Sequence, residues 1–72
     1  MSGDFHTGIR VRWNRGQGVA RGRIAACFDD QVEQMIEGAR VRRNASPQDP
    51  AFLIIMDAGG EVLKLRSELS LA

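Results

Sequence analysis

One stretch constrains the fold more than any other: Val11–Ile24, V-R-W-N-R-G-Q-G-V-A-R-G-R-I. Ile9, Val11 and Trp13 fall on one side of an extended chain, and Arg10 and Arg12 on the other. That is the two-residue period of a half-buried strand. Beyond N-R-G-Q-G, where Asn14, Gly16 and Gly18 are residue types that tolerate positive φ, a second run begins. Gly22, Ile24, Ala26 and Phe28 resume the rhythm there, with Arg21 and Arg23 out of phase. The stretch reads as strand, glycine turn and strand, with one apolar face and one arginine-lined face. Such a hairpin does not hold alone, because its apolar face needs cover. The rest of the chain must supply a small core.

Seventy-two residues suffice for one domain near the lower limit for a core without metals or disulfides. Cys27 is the one cysteine, so no internal disulfide forms, and no Cys/His cluster suits zinc. It reads as a small, partly buried strand residue. A nucleophilic role is disfavoured because the one histidine, His6, falls in the N-terminal stretch with nothing to orient it. No run approaches the roughly 18 apolar residues that cross a bilayer. M-S-G-D-F-H-T-G lacks a charged region followed by an apolar one, so the expected compartment is the reducing cytoplasm, with no membrane association.

The net charge of +1 hides a pattern. Residues 1–23 carry five arginines against Asp4, whereas residues 24–38 carry Asp29, Asp30, Glu33 and Glu37 with no base. Arg40, Arg42 and Arg43 follow. Nine of the ten basic residues are arginine, the side chain suited to bidentate carboxylate or phosphate contacts.

Residues 1–8 are expected to form a flexible N-terminus and residues 9–72 a single domain. The strands run over about Ile9–Trp13 and Ala20–Phe28, with Gly22 a bend or bulge. Over residues 29–38, D-D-Q-V-E-Q-M-I-E-G supports two readings. Asp30 with Glu33 resembles a capping box, Val32, Met35 and Ile36 fit a helical face, and Gly38 fits a C-cap. The alternative is a strand in which Val32, Gln34 and Ile36 share a face. Local signals favour the helix.

Gly38–Asn44 is strand-like. Ser46–Pro50, S-P-Q-D-P, is a turn, because each proline fixes φ and biases its predecessor away from helix. Ala51–Met56, A-F-L-I-I-M, has the length and apolarity of a strand buried on both faces. Asp57-Ala58-Gly59-Gly60 is a hairpin turn, with the Asp57 side chain accepting from its amides. Glu61–Leu65 returns, and Ser67-Glu68-Leu69 is a closing 3₁₀ turn with Leu69 plugging the barrel end. About five short antiparallel strands in this length curl into a small all-β barrel.

With those residues in place the chain resembles the hypervirulence-associated TUDOR-like domain, a small bacterial domain formerly of unknown function. The resemblance rests on V-R-W-N at Val11–Asn14, Gly18 and Gly22, and I-E-G at Ile36–Gly38. It continues through R-N-A-S-P-Q-D-P-A-F-L-I at Arg43–Ile54 and V-L-K-L-R-S-E-L at Val62–Leu69. It spans Gly8 to Leu69. It implies an SH3-like barrel and a strand, rather than a helix, through Val32–Ile36. The family supplies no established activity.

Tudor domains that read methylated side chains need several aromatic walls around a cation. This chain has Phe5, Trp13, Phe28 and Phe52 and no tyrosine, and alternation turns Trp13 and Phe28 inward. A cage is therefore not expected. Trp13, Gly18, Gly22, Gly38 and Pro50 read as structural residues.

Arg10, Arg12, Arg21 and Arg23 share the outer face of the hairpin, with Arg40 and Arg42 the nearest further candidates. One reading makes them a nucleic-acid-binding plate for phosphate backbone. The other makes them a solvated face paired across strands with Glu33, Glu37 or Glu61, each pair contributing about 0.2–1 kcal/mol. Abundant carboxylates favour the second. Lys64 and Glu68 are a further candidate pair. Gly16-x-Gly18-x-x-x-Gly22 misses the spacing of a phosphate loop, and no helix follows it.

No catalytic constellation, cofactor site or metal site emerges. The expectation is a small non-enzymatic module, monomeric or weakly dimeric, that meets a protein partner or plays a structural part, with weak, sequence-independent nucleic-acid binding as the alternative.

Overall fold

Arg10–Arg15 (β1) and Gly18–Phe28 (β2) form an antiparallel hairpin in which Val11 stands opposite Gly22 and Arg12 opposite Arg21. The structure is a computed structural model that describes residues 5–72. Val32–Ile36 (β3), Ala39–Arg43 (β4), Ala51–Met56 (β5) and Glu61–Leu65 (β6) follow. A 3₁₀ turn at Arg66–Glu68 and a two-residue strand, Ser70–Leu71 (β7), complete the chain. The fold is all-β and antiparallel, as expected.

Five strands make one sheet in the order β6-β5-β2-β1-β7, and β3 and β4, which fall between β2 and β5 along the chain, form a separate two-stranded ladder. The strand reading of Val32–Ile36 holds. Its helical local signals give way because every residue of the segment pairs with β4, from Val32 opposite Arg43 to Ile36 opposite Ala39. Val32 and Ile36 are thereby buried against Ala51 and Leu63.

The first turn is tighter than expected. Gly16 and Gln17 alone lie between the strands, so Asn14 and Gly18 are ladder residues. The irregularity in β2 comes at Ala25, not at Gly22, where the pairing with β5 shifts by one residue between Ile24 and Ala26. Opposite residues in a ladder share a face. Before the shift Ile24 opposes Ile54, and both lie in a cluster with Val11, Trp13 and Phe52. After it Phe28 opposes Ala51, and both lie in the second cluster.

β5 faces a core on either side by its own alternation, with Phe52 and Ile54 toward one and Ala51 and Leu53 toward the other, and the extra residue in β2 carries Phe28 across to the second. Burial of each large side chain here contributes about 1.5–3 kcal/mol. Gly22 has a different role: it is buried where β5 crosses closest.

Of the N-terminal segment expected to be loose, residues 1–4 lie outside the described residues. Phe5 packs against Phe52 at a ring-centroid distance of 5.8 Å, and the Gly8 amide donates to the Ile24 carbonyl at 2.8 Å. Cys27 is exposed rather than partly buried: it stands opposite Phe52, while its neighbours Ala26 and Phe28 lie on the side of the second cluster.

The Ser46–Pro50 turn is closed by reciprocal backbone bonds between Ser46 and Asp49. The Pro50 carbonyl accepts from Arg66 at 2.8 Å. Asp49 also accepts from the Ser67 amide at 2.8 Å and its hydroxyl at 2.9 Å, which anchors the 3₁₀ turn. β7 then lies on β1, with Leu71 opposite Val11.

Candidate arginine face

The register of β1 and β2 sets Arg10 directly opposite Arg23 and Arg12 directly opposite Arg21. All four are exposed, because the alternate positions, Val11, Trp13, Gly22 and Ile24, fill the inside. Two exposed aliphatic side chains flank them. Ile55, 51% exposed, stands opposite Arg23, and Val19, 47% exposed, stands opposite Asn14. Beside Arg10 and Arg23 a groove of about 410 Å³ is lined by Ile55, Asp57 and the Thr7–Gly8 backbone segment.

The four differ in their partners. Arg10 pairs with Asp57 at 2.5 Å, so Asp57 faces an arginine across the sheet instead of the amides of its own turn. Arg12 donates through Nε to the Leu71 carbonyl at 3.3 Å. Among the described residues no carboxylate forms an ion pair with Arg12, Arg21 or Arg23.

Arg40 and Arg42 stand apart on β4, in the other ladder, where both grip the Glu33 carboxylate at 3.1 Å. The six arginines therefore do not make one plate. Of the carboxylates expected to answer them, Glu33 does so, while Glu37 and Glu61 make no ion pair among the described residues.

Glu68 bonds Arg43 at 2.8 Å and accepts from the Leu65 amide at 2.7 Å, so the expected partner Lys64 is only a nearby charge. Burial pushes the Glu68 carboxyl up, but the Leu65 amide, the Arg43 guanidinium and Lys64 together outweigh it. The net shift is below the ordinary glutamate value of 4.5.

No aromatic side chain of the described residues is exposed. Trp13 and Phe52 are buried, and Phe28 and Phe5 are half-buried, Phe5 lying 4.7 Å beneath the Arg66 guanidinium. Neither a cation cage nor a base-stacking platform is assembled. Among the described residues no group of three or more His, Cys, Asp or Glu side chains could hold a metal ion. Among the described residues no helix is long and apolar enough to cross a membrane.

The Asp57 and Asp49 contacts escaped sequence reasoning because their partners lie far along the chain. The signal for Asp57 was a surplus of arginine on the hairpin, which calls for a carboxylate without saying which.

No curated protein and no solved structure matches the chain. The family model described as Hypervirulence associated proteins TUDOR domain matches residues 8–69. That span takes in every strand from β1 to β6 and the 3₁₀ turn. The chain belongs to the hypervirulence-associated TUDOR domain family.

Proposed function

We propose that the domain is a non-enzymatic binding module that docks an acidic, partly apolar segment of a partner protein on the outer face of β1, β2 and β5. Membership of a TUDOR domain family supports a binding role in general. The observation that carries the finer reading is the pair of directly opposed arginine couples, Arg10–Arg23 and Arg12–Arg21, for which Asp57 is the one carboxylate partner among the described residues. Like charges placed opposite each other in a ladder are unfavourable. An incoming row of carboxylates reverses that cost, and arginine suits such contacts through its bidentate fork.

The exposed side chains of Val19 and Ile55 beside the arginines favour a peptide with apolar residues between its acids. A phosphate backbone is the second reading. It gains the same charge, but the face offers bases nothing aromatic to stack on.

An NMR titration of the labelled domain tests both. A peptide alternating glutamate and leucine is expected to move the amide signals of Arg12, Arg21, Arg23 and Ile55, and Arg12→Glu with Arg23→Glu to abolish the response. Binding of an oligonucleotide but not the peptide, lost steeply as salt rises, transfers the face to the phosphate reading. Silence from both probes at low salt removes the site.

A further inference from the structure

A second concave surface lies away from the arginine face, where the β3–β4 turn meets the β5–β6 turn. The open cleft there has a volume of about 420 Å³, within the range of small-molecule sites. Its floor is apolar, with Trp13, Met56 and Val62 contributing. Its rim carries Arg15 and Lys64 together with Glu37 and Glu61. Two cations and two anions share one small opening, yet no ion pair joins any of them among the described residues. Such an arrangement leaves both signs available to a ligand.

Glu37 supplies an independent observation. Ile36 pairs with Ala39, so the β3–β4 turn consists of Glu37 and Gly38 alone, at φ 50° and 82°. Turns of this kind favour asparagine, aspartate or glycine first, and Glu37 is the one residue other than glycine with positive φ among the described residues. Its carboxylate reaches across to Gly60, where a side chain would collide with Glu37 Oε2. The two-residue turn requires this backbone of Glu37, and it sets a long acid at the mouth of the cleft.

We infer that this cleft binds a free α-amino acid with an apolar side chain, its ammonium held by Glu37 and Glu61 and its carboxylate by Arg15 and Lys64. The side chain rests on the half-buried Met56 and Val62, above the buried Trp13. A ligand of single charge leaves one half of the rim unanswered, whereas a zwitterion satisfies both halves.

L-leucine is the probe, and Trp13, the only tryptophan, is the reporter through its fluorescence and indole NMR signal. Leucine is expected to shift the indole and the amides of Glu37, Gly38 and Glu61 in the millimolar range. Leucinamide, which lacks the carboxylate, and N-acetylleucine, which lacks the ammonium, are each expected to bind at least about tenfold more weakly. Glu37→Asn preserves the turn and is expected to weaken leucine by a similar factor, as is Lys64→Gln.

No indole response to leucine overturns the inference, and so does leucinamide binding as tightly as leucine. Undiminished leucine binding by Glu37→Asn also overturns it. An acidic peptide on the arginine face leaves these readings in place, so the two sites fail or stand separately.

Discussion

Gly22 lies so close beneath β5 that a methyl group built on it would sit 2.5 Å from the Ile55 carbonyl oxygen and 2.6 Å from Ile54 Cγ2. The oxygen belongs to backbone held in two ladders and has no room to retreat. Gly22→Ala is therefore expected to destabilise the domain by about 1–3 kcal/mol, as overpacking does. The gain of roughly 0.4–1 kcal/mol from a stiffer unfolded chain does not offset this. A lower urea midpoint at unchanged slope is the measurement; an unchanged midpoint contradicts the close approach.

Arg21→Glu is expected to act in the opposite direction. It replaces the repulsion of Arg12 and Arg21 with a cross-strand attraction, a gain of about 0.2–1 kcal/mol that lies toward the lower end because both groups are exposed. The gain should shrink as salt is added. A destabilised variant at low salt would mean that the two guanidinium groups do not oppose each other.

Glu37→Asn is expected to raise stability by about 0.5–1 kcal/mol, because asparagine tolerates the left-handed conformation that costs other residues about 1–2 kcal/mol. Thermal unfolding reads the change. A loss of stability would show that the Glu37 side chain compensates for its own backbone.

Glu68 sets part of the acid limb. Its native carboxyl titrates below the ordinary value of 4.5, so the unfolded chain takes up the proton first. The stabilisation is therefore complete above that ordinary value and is lost as pH falls through the lower native one. Glu68→Gln should flatten the fall in stability over this window and change nothing in its slope near neutrality. An acid limb of unchanged steepness in the variant would remove the assignment to Glu68.

The two hairpin strands, Ala51–Met56 and Glu61–Leu65 were legible as strands from side-chain alternation or unbroken apolarity. The expected burial of Ala51–Met56 on both faces stops at Ile54, however, since Ile55 is exposed where the arginine face leaves it uncovered. Val32–Ile36 was not legible locally. Val32 and Ile36 are four apart, a spacing that suits both a helical stripe and one face of a strand, and only pairing with β4 decides between them. Ser70–Leu71 escaped because a two-residue polar–apolar pair carries no period, and it becomes a strand solely through the free edge of β1.

The Ala25 shift left no mark either, since alanine fits a regular or an irregular ladder equally well. At the arginine face, alternation established that Arg10, Arg12, Arg21 and Arg23 share a side. The couples needed the register, and the register follows from a two-residue turn in a stretch with several glycines. Asp57 needed the whole sheet, because it reaches Arg10 from the far end of β5.

The grip of Arg40 and Arg42 on Glu33 has an electrostatic result for the molecule as a whole. Residues 29–43 carry four carboxylates against three arginines, while residues 5–28 carry five arginines and no carboxylate. The field around the domain is thus lopsided, strong over one hairpin and nearly cancelled over the other. A charged body nearby would feel a torque before any atom touches, so the protein presents a fore and an aft to the solution.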